Sequence, residues 1–220
     1  MDHVYKLGHA FEQGGSMMYV IAATLVWAIV LIWERWDTLS RKMDVDGASF
    51  MAEVQKFILA EDLDGAIRLC NGAGRAALAR VFKAGLSRAS RTAEQIQNAI
   101  DATSLEVIAK IEKRISHLSL IGNVATLLGL LGTIIGLMTA FEGLATADPS
   151  KRSEILSNGI AEAMNCTAFG LFTAILAMVA HGFLSAKASK IVGEVDEYSV
   201  KLMDLISARD IKLGGGKGGR

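Results

Sequence analysis

Three stretches of this chain are apolar on every side over a length that suits a membrane. Residues 14–33, 118–141 and 163–186 contain no Asp, Glu, Lys or Arg. The hydrocarbon core of a bilayer is about 30 Å thick and needs about 20 apolar residues in a helix. A core helix of a soluble protein keeps a polar stripe at period 3.6, which the first of these stretches lacks. The pattern therefore predicts three transmembrane helices.

The polar remainder of the chain has helical spacing and no alternating strand pattern. Phe50, Val54 and Ile58 mark one short amphipathic helix, and two more follow before residue 91. From Thr92 the apolar positions step by three to five into the second span, with no breaker in the pattern. The third span continues past the membrane in the same way. We therefore predict an all-α membrane protein in which these two helical arms pair with each other or with arms of other copies.

The predicted organisation has nine segments along the chain. They are an interfacial amphipathic helix (1–13), transmembrane helix 1 (14–36), a cytoplasmic helical region (37–91), a cytoplasmic extension of helix 2 (92–117), transmembrane helix 2 (118–142), an outer hairpin (143–158), transmembrane helix 3 (159–186), a cytoplasmic C-terminal helix (187–213) and a disordered tail (214–220).

The distribution of basic residues predicts the orientation. All but Lys6, Lys151 and Arg152 of the 23 Lys and Arg residues lie between Arg35 and Arg114 or after residue 186. Cytoplasmic flanks collect positive charge, so we expect the N-terminus outside and the C-terminus inside. Acidic residues nearly balance the basic ones in the large inner segment, and the whole chain has zero formal charge. This balance argues against a nucleic-acid partner.

Small residues in the second and third spans recur every three or four positions and so share one helical face. Lipid tails are as apolar as leucine, so such a face favours close approach of another helix. A single chain with three spans does not easily cover both faces, and we therefore expect self-association. The candidate packing residues are Gly122, Gly129, Gly132, Gly136, Gly143, Gly170 and Ala174.

Polar side chains accompany these faces. Thr126 and Thr133 are seven residues apart and would line a passage in a ring of subunits, but a threonine in a membrane helix commonly bonds its own helix's carbonyl. Glu162 lies at the mouth of the third span, where a capping or interfacial role and a functional role stay equally open. No Ser-His or Cys-His pair lies at a plausible depth in the membrane, no carboxylate pair or metal-binding spacing occurs, and we expect neither an enzyme nor a cofactor or metal.

Residues 127–141 (LLGLLGTIIGLMTAF) and 159–171 (GIAEAMNCTAFGL) closely resemble the paired signature of the ExbB, TolQ and MotA family, whose members are motor or stator subunits driven by the proton motive force. The three-span layout resembles the ExbB and TolQ group, including gliding-motility subunits. Many members have proline at two places that hold Asn158 and Leu176 here, which suggests a straighter third helix.

The resemblance implies a lipid-embedded homopentameric ring in the bacterial inner membrane. The second and third spans would enclose a single-span partner of the ExbD/TolR type that carries the proton-binding aspartate. Thr133 and Thr167 would correspond to the polar threonines that face the pore, and Glu162 to the acidic residue near the channel mouth. The rival hypothesis is a passive oligomeric scaffold that recruits proteins through its cytoplasmic helices.

Overall fold

The computed structural model describes residues 15–215, and these form α-helices and one π-helix without a strand. The elements are α1 (Gly15–Asp37), a π-helix (Thr38–Met43), α2 (Gly47–Leu59), α3 (Leu63–Gly72), α4 (Ala77–Leu86), α5 (Ala93–Glu112), α6 (Ile115–Thr146) and α7 (Arg152–Gly215). Three helical stretches are long and apolar enough to cross a membrane. The predicted all-α fold with three spans is confirmed. The interfacial helix predicted for residues 1–13 and the end of the predicted tail lie outside the described residues.

The described residues form two compact units. We call residues 15–34 with 114–183 the membrane unit, and residues 35–113 with 184–215 the polar unit. Helix α7 is continuous and contributes residues to both. Asn158 and Leu176 occupy the two positions at which many members of the ExbB, TolQ and MotA family have proline. Both residues lie within α7, which is uninterrupted.

In the membrane unit, α1 buries a single stripe. Met18, Ile21, Ala28 and Leu31 are buried at helical spacing. Many of its other large side chains, such as Trp27 at 57% exposure, face outward. The outward side chains are apolar, as a lipid-exposed helix requires.

The expectation of an unbroken helix from Thr92 into the second span is wrong at one point. Helix α5 ends at Glu112, and α6 begins at Ile115. Between them, Arg114 has a φ of 65°, in the left-handed region that interrupts a right-handed helix. The apolar spacing continues across the break, which is why the sequence pattern does not reveal it.

The polar unit packs its helices around an apolar core, and two of these helices, α3 and α5, begin at a side-chain cap. The carboxylate of Asp62 accepts the backbone N–H of Gly65 at 2.7 Å to cap α3, and the Thr92 hydroxyl caps α5 by accepting from Gln95. The rings of Phe50 and Phe82 lie 5.7 Å apart between α2 and α4. The fully buried core side chains include Val54, Ile58, Val81, Phe82, Ile96, Ile100, Ile111, Leu202 and Ile206.

Both predicted arms contact α4 of their own chain. A β-carbon placed on Gly85 would lie 3.0 Å from the side chain of Ile100 in α5 and 3.3 Å from that of Leu202 in α7. Glycine at this position allows the two arms to approach α4 closely. The arms therefore pack against the same short helix within one chain.

Candidate functional site

Helices α6 and α7 of the membrane unit approach each other at backbone distance. A β-carbon placed on Gly170 would lie 2.8 Å from the carbonyl oxygen of Ala125 and 2.8 Å from the Cα of Gly129. One placed on Gly136 would lie 3.2 Å from the backbone nitrogen of Ala163. Real β-carbons do not tolerate the first of these distances, so glycine is required where α7 crosses Gly129.

All the candidate packing residues of the sequence lie along this contact. Gly122 lies beside Met178 and Ala174, Gly129 beside Gly170, Gly132 beside Cys166, Gly136 beside Ala163, and Gly143 beside Ile155. The small faces of α6 and α7 thus cover each other within one chain. The expectation that a single chain cannot cover them is wrong, and these faces by themselves do not call for a second copy.

All three spans meet close to Gly132. A β-carbon at this position would lie 2.6 Å from that of Cys166 in α7 and 3.7 Å from that of Met17 in α1. Cys166 is buried, with 1% of its surface exposed. The chain neighbour of Gly132 is Thr133, so this candidate threonine lies at the level where the three helices come together.

The hydroxyl of Thr133 donates to the carbonyl of Leu130, one turn earlier, at 2.6 Å. Thr126 and Thr139 make the same kind of bond within α6, and Thr173 within α7. These bonds follow the common behaviour of threonine in membrane helices. The side chain of Thr133 is nevertheless half-buried rather than enclosed.

Thr167 behaves differently from the other threonines. Its hydroxyl donates across the helix contact to the carbonyl of Gly129 in α6, at 3.2 Å. The backbone oxygen of Gly129 is reachable because neither Gly129 nor Gly170 has a side chain at the contact. This bond holds Thr167 at the contact between α6 and α7. Gly132, the residue before Thr133, belongs to the same contact.

Glu162 lies one turn of α7 before Cys166 and faces the first described residue of α1. Its carboxylate contacts Gly15, which has a φ of 62°. The N-terminus of a helix carries partial positive charge, so a carboxylate is favourable there. The contact agrees with the capping alternative, and a role in ion passage stays a prediction. The structure thus holds Thr167 at the contact of α6 with α7, places Thr133 one residue after Gly132 of that contact, and sets Glu162 against Gly15 of α1.

Sequence reasoning missed the bond between Thr167 and Gly129 and an ion pair that joins Arg114 to Glu34 at 2.8 Å. The first has a signal in the sequence, because a threonine on one small-residue face opposite glycines on another can reach a bare carbonyl. The second has none, since the two residues are far apart in the chain. Among the described residues, no group of His, Cys, Asp or Glu is arranged to hold a metal ion.

Comparison with known proteins gives one family and one solved fold. The sequence model of the MotA/TolQ/ExbB proton channel family matches residues 73–197. The chain is similar to the solved "Structure of C. jejuni MotAB", with a TM-score of 0.61 and 16% identity over 91% of this chain and 76% of that chain. No curated protein matches the sequence. The family match includes α4, α5, α6, both threonines and α7 as far as residue 197.

Proposed function

Because the chain belongs to the MotA/TolQ/ExbB proton channel family, it is a proton-channel subunit of the stator type, and we propose that it acts with a single-span partner of the ExbD/TolR type. The observation that carries the proposal is the family match over residues 73–197, which includes the contact between the two helices that hold Thr133 and Thr167. In this function, proton entry drives mechanical work of the partner.

The partner is needed because the middle of the packed spans has no acid of its own. Residues 118–141 and 163–186 contain no Asp or Glu. Neutral hydroxyls hydrogen-bond to a proton carrier, but they do not bind and release protons near neutral pH. The titrating carboxyl group therefore has to come from another chain, and a membrane aspartate on a single-span partner supplies it.

The two threonines then assist that carboxyl group in both of its states. While the Thr133 hydroxyl donates its hydrogen bond to the carbonyl of Leu130, its oxygen still has lone pairs that accept a hydrogen bond from a protonated acid. Rotation about the Cβ–Oγ1 bond lets the same hydroxyl donate to the ionised carboxylate. The Thr167 hydroxyl donates to the carbonyl of Gly129 in the same way, so its oxygen also accepts from the protonated acid, and its rotation lets it donate to the carboxylate. Such paired states reduce the cost of holding the charge in an apolar setting.

The face of α6 that carries Thr133 is open to a partner helix. Thr126, Leu130, Thr133 and Leu137 are spaced along one face, and the side chains of Thr126 and Leu130 are exposed. In the described part of the chain, this face is largely exposed. We propose that it lines the inside of a homopentameric ring and faces the partner, while other apolar faces contact neighbouring copies and lipid.

Glu162 completes the proposed path at its outer end. A half-buried carboxylate beside the start of α1 attracts cations to the channel mouth while the helix end stabilises its charge. The three apolar helices and the family indicate a multi-pass protein of the inner membrane. We propose an outer N-terminus and a cytoplasmic C-terminus, since the basic residues cluster on the corresponding flanks.

The energy available suits a motor. One elementary charge that moves through 100 mV is worth about 2.3 kcal/mol, so a few protons supply the work of moving a helix within a ring. Neutralising the partner carboxylate removes a buried charge, which permits that helix to change its position in the ring.

The test is proton flux in vesicles. The chain is reconstituted with and without the single-span protein encoded by its neighbouring reading frame, and a potassium diffusion potential drives uptake that a pH-sensitive dye reports. We expect flux only with the partner, and none when the partner's membrane aspartate is replaced by asparagine. Co-purification without any flux would favour the passive scaffold instead.

A further inference from the structure

Charge in the polar unit is segregated although its total is balanced. From residue 65 to residue 93 the chain contains no Asp or Glu. The same stretch contains six basic residues: Arg68, Arg75, Arg80, Lys83, Arg88 and Arg91. The balance that argues against a polyanionic partner for the whole region therefore does not hold for residues 65–93, which include all of α4.

Helices α3, α4 and α5 enclose an open cleft of about 810 Å³ on this basic side. Four basic side chains line it, namely Arg75, Arg80, Lys83 and Lys110, together with Glu106 as its one acidic lining residue. This volume lies within the range of pockets that hold small organic ligands. We call this space the basic cleft.

The acidic residue is already engaged. Arg80 lies 3.0 Å and Lys110 2.5 Å from the Glu106 carboxylate. Hydrogen bonds from these two side chains hold the pKa of Glu106 below its usual range, so it stays ionised. Within the described residues, no carboxylate lies at ion-pair distance from Arg75 or Lys83. The cleft thus keeps two cations for which the described part of the chain offers no counter-charge.

The two hydroxyl groups that line the cleft are already engaged as donors to nearby backbone carbonyls. The hydroxyl of Ser87 donates to the carbonyl of Lys83 at 2.7 Å, and that of Thr103 to the carbonyl of Ala99 at 2.8 Å. The thiol of Cys70 is buried, and burial raises its pKa to about 11, so it stays neutral. Attraction in the basic cleft therefore comes from the cationic side chains and acts on negative charge.

We propose that the basic cleft is a binding site for a phosphate-bearing anion, held by Arg75 and Lys83, while Arg80 and Lys110 add positive charge to the same lining. A guanidinium offers a planar pair of N–H donors that matches two phosphate oxygens, and an ammonium adds a point charge. The multiple charge of a phosphate group satisfies both unpaired cations at once. The site lies in the polar unit and goes beyond the channel function, so either proposal can fail without the other.

The experiment is calorimetric titration of the full chain in an uncharged detergent and phosphate-free buffer, with inorganic pyrophosphate as the probe. We expect saturable binding to the wild type. Lys83→Gln should weaken it about tenfold, because a charge-assisted hydrogen bond is worth roughly that factor. Lys56→Gln is the matched control, since it removes an exposed lysine on α2 away from the cleft. Circular dichroism verifies that both variants keep their helices.

A second titration separates the two sources of phosphate. Phosphatidylglycerol with short chains is added at a concentration at which it forms no micelles of its own. Displacement of pyrophosphate by this lipid identifies a lipid headgroup as the ligand. Displacement by ATP without displacement by the lipid identifies a soluble phosphate compound. Either result supports the site. Absence of binding by all three probes, or equal weakening by Lys83→Gln and Lys56→Gln, would overturn it.

Discussion

The Nη1 atom of Arg114 lies 2.8 Å from both carboxylate oxygens of Glu34. The pair joins the end of the first span to the residue that precedes α6. Both side chains are about two-fifths exposed, so the ion pair contributes at most about 1 kcal/mol to stability. It coincides with the left-handed backbone of Arg114, and thus with the break between α5 and α6.

Because of this break, we expect glycine at position 114 to give a more stable protein than alanine, the reverse of their usual order in a helix. Arg114→Gly should be more stable than Arg114→Ala by about 1 kcal/mol, because only glycine adopts a φ near 65° without steric cost. Both variants lose the ion pair, so the difference isolates the backbone term. Thermal unfolding in detergent, followed by tryptophan fluorescence, measures it.

The neighbouring residue is the control. Lys113 has a φ of −50°, which any residue accepts. Lys113→Gly should therefore be no more stable than Lys113→Ala. A lower unfolding temperature for Arg114→Gly than for Arg114→Ala would contradict the left-handed conformation.

Because α6 and α7 approach at backbone distance, we expect replacement of a contact glycine by alanine, which adds a single methyl group, to lower the stability of the protein. Gly170→Ala should lower stability by about 2 kcal/mol, since its new methyl group would meet backbone atoms of Ala125 and Gly129 at 2.8 Å. Gly182→Ala lies in the same helix with no heavy atom within 4 Å and should be neutral or slightly stabilising. Equal unfolding temperatures for the two variants would show that the helices do not touch at Gly170.

The hydroxyl of Thr133 should matter for transport more than for assembly. Thr133→Val should reduce partner-dependent proton flux about 10-fold to 100-fold, the value of one hydrogen bond to a charged group. Thr133→Ser keeps the hydroxyl and should retain most of the flux. The vesicle assay measures both, and normal flux through Thr133→Val combined with Thr167→Val would reject the proposed path.

Thr167 should also affect stability, because its bond crosses between helices. Thr167→Val should destabilise the membrane unit by about 0.6 kcal/mol, the average for such bonds in membranes. Thr126→Val is the matched control, since the Thr126 hydroxyl bonds within its own helix at 3.1 Å. A larger effect at Thr126 than at Thr167 in thermal unfolding would argue against the cross-helix bond.

The buried thiol of Cys70 gives a pH dependence. Desolvation raises its pKa from 9.0 to about 11. The folded state holds this proton more tightly than the unfolded state, so its contribution to stability is full below pH 9 and is lost as the pH rises toward 11. Alkylation of Cys70 by iodoacetamide, mapped by mass spectrometry, should stay slow at pH 9 and accelerate on unfolding. Rapid alkylation of the folded protein at pH 8 would contradict this burial.

The sequence predicted much of the site's composition but not its contacts. The threonines and the small residues of α6 and α7 follow from spacing, since residues three or four apart share a helix face. Which face they meet does not follow, because lipid, a second copy and the other span are all apolar alternatives. The sequence led to the prediction that a second copy covers these faces, whereas the structure places Gly129 against Gly170 in the same chain.

The sequence alone determined the three spans and the all-helical character, because apolar length and the need to bond every backbone group in lipid act locally along the chain. The tertiary structure decided the break at Arg114, the bond from Thr167 to Gly129 and the gathering of basic side chains around the basic cleft. The bond and the cleft bring together residues of different helices, and the break at Arg114 leaves the apolar spacing unchanged, so the hydrophobic pattern along the chain specifies none of the three.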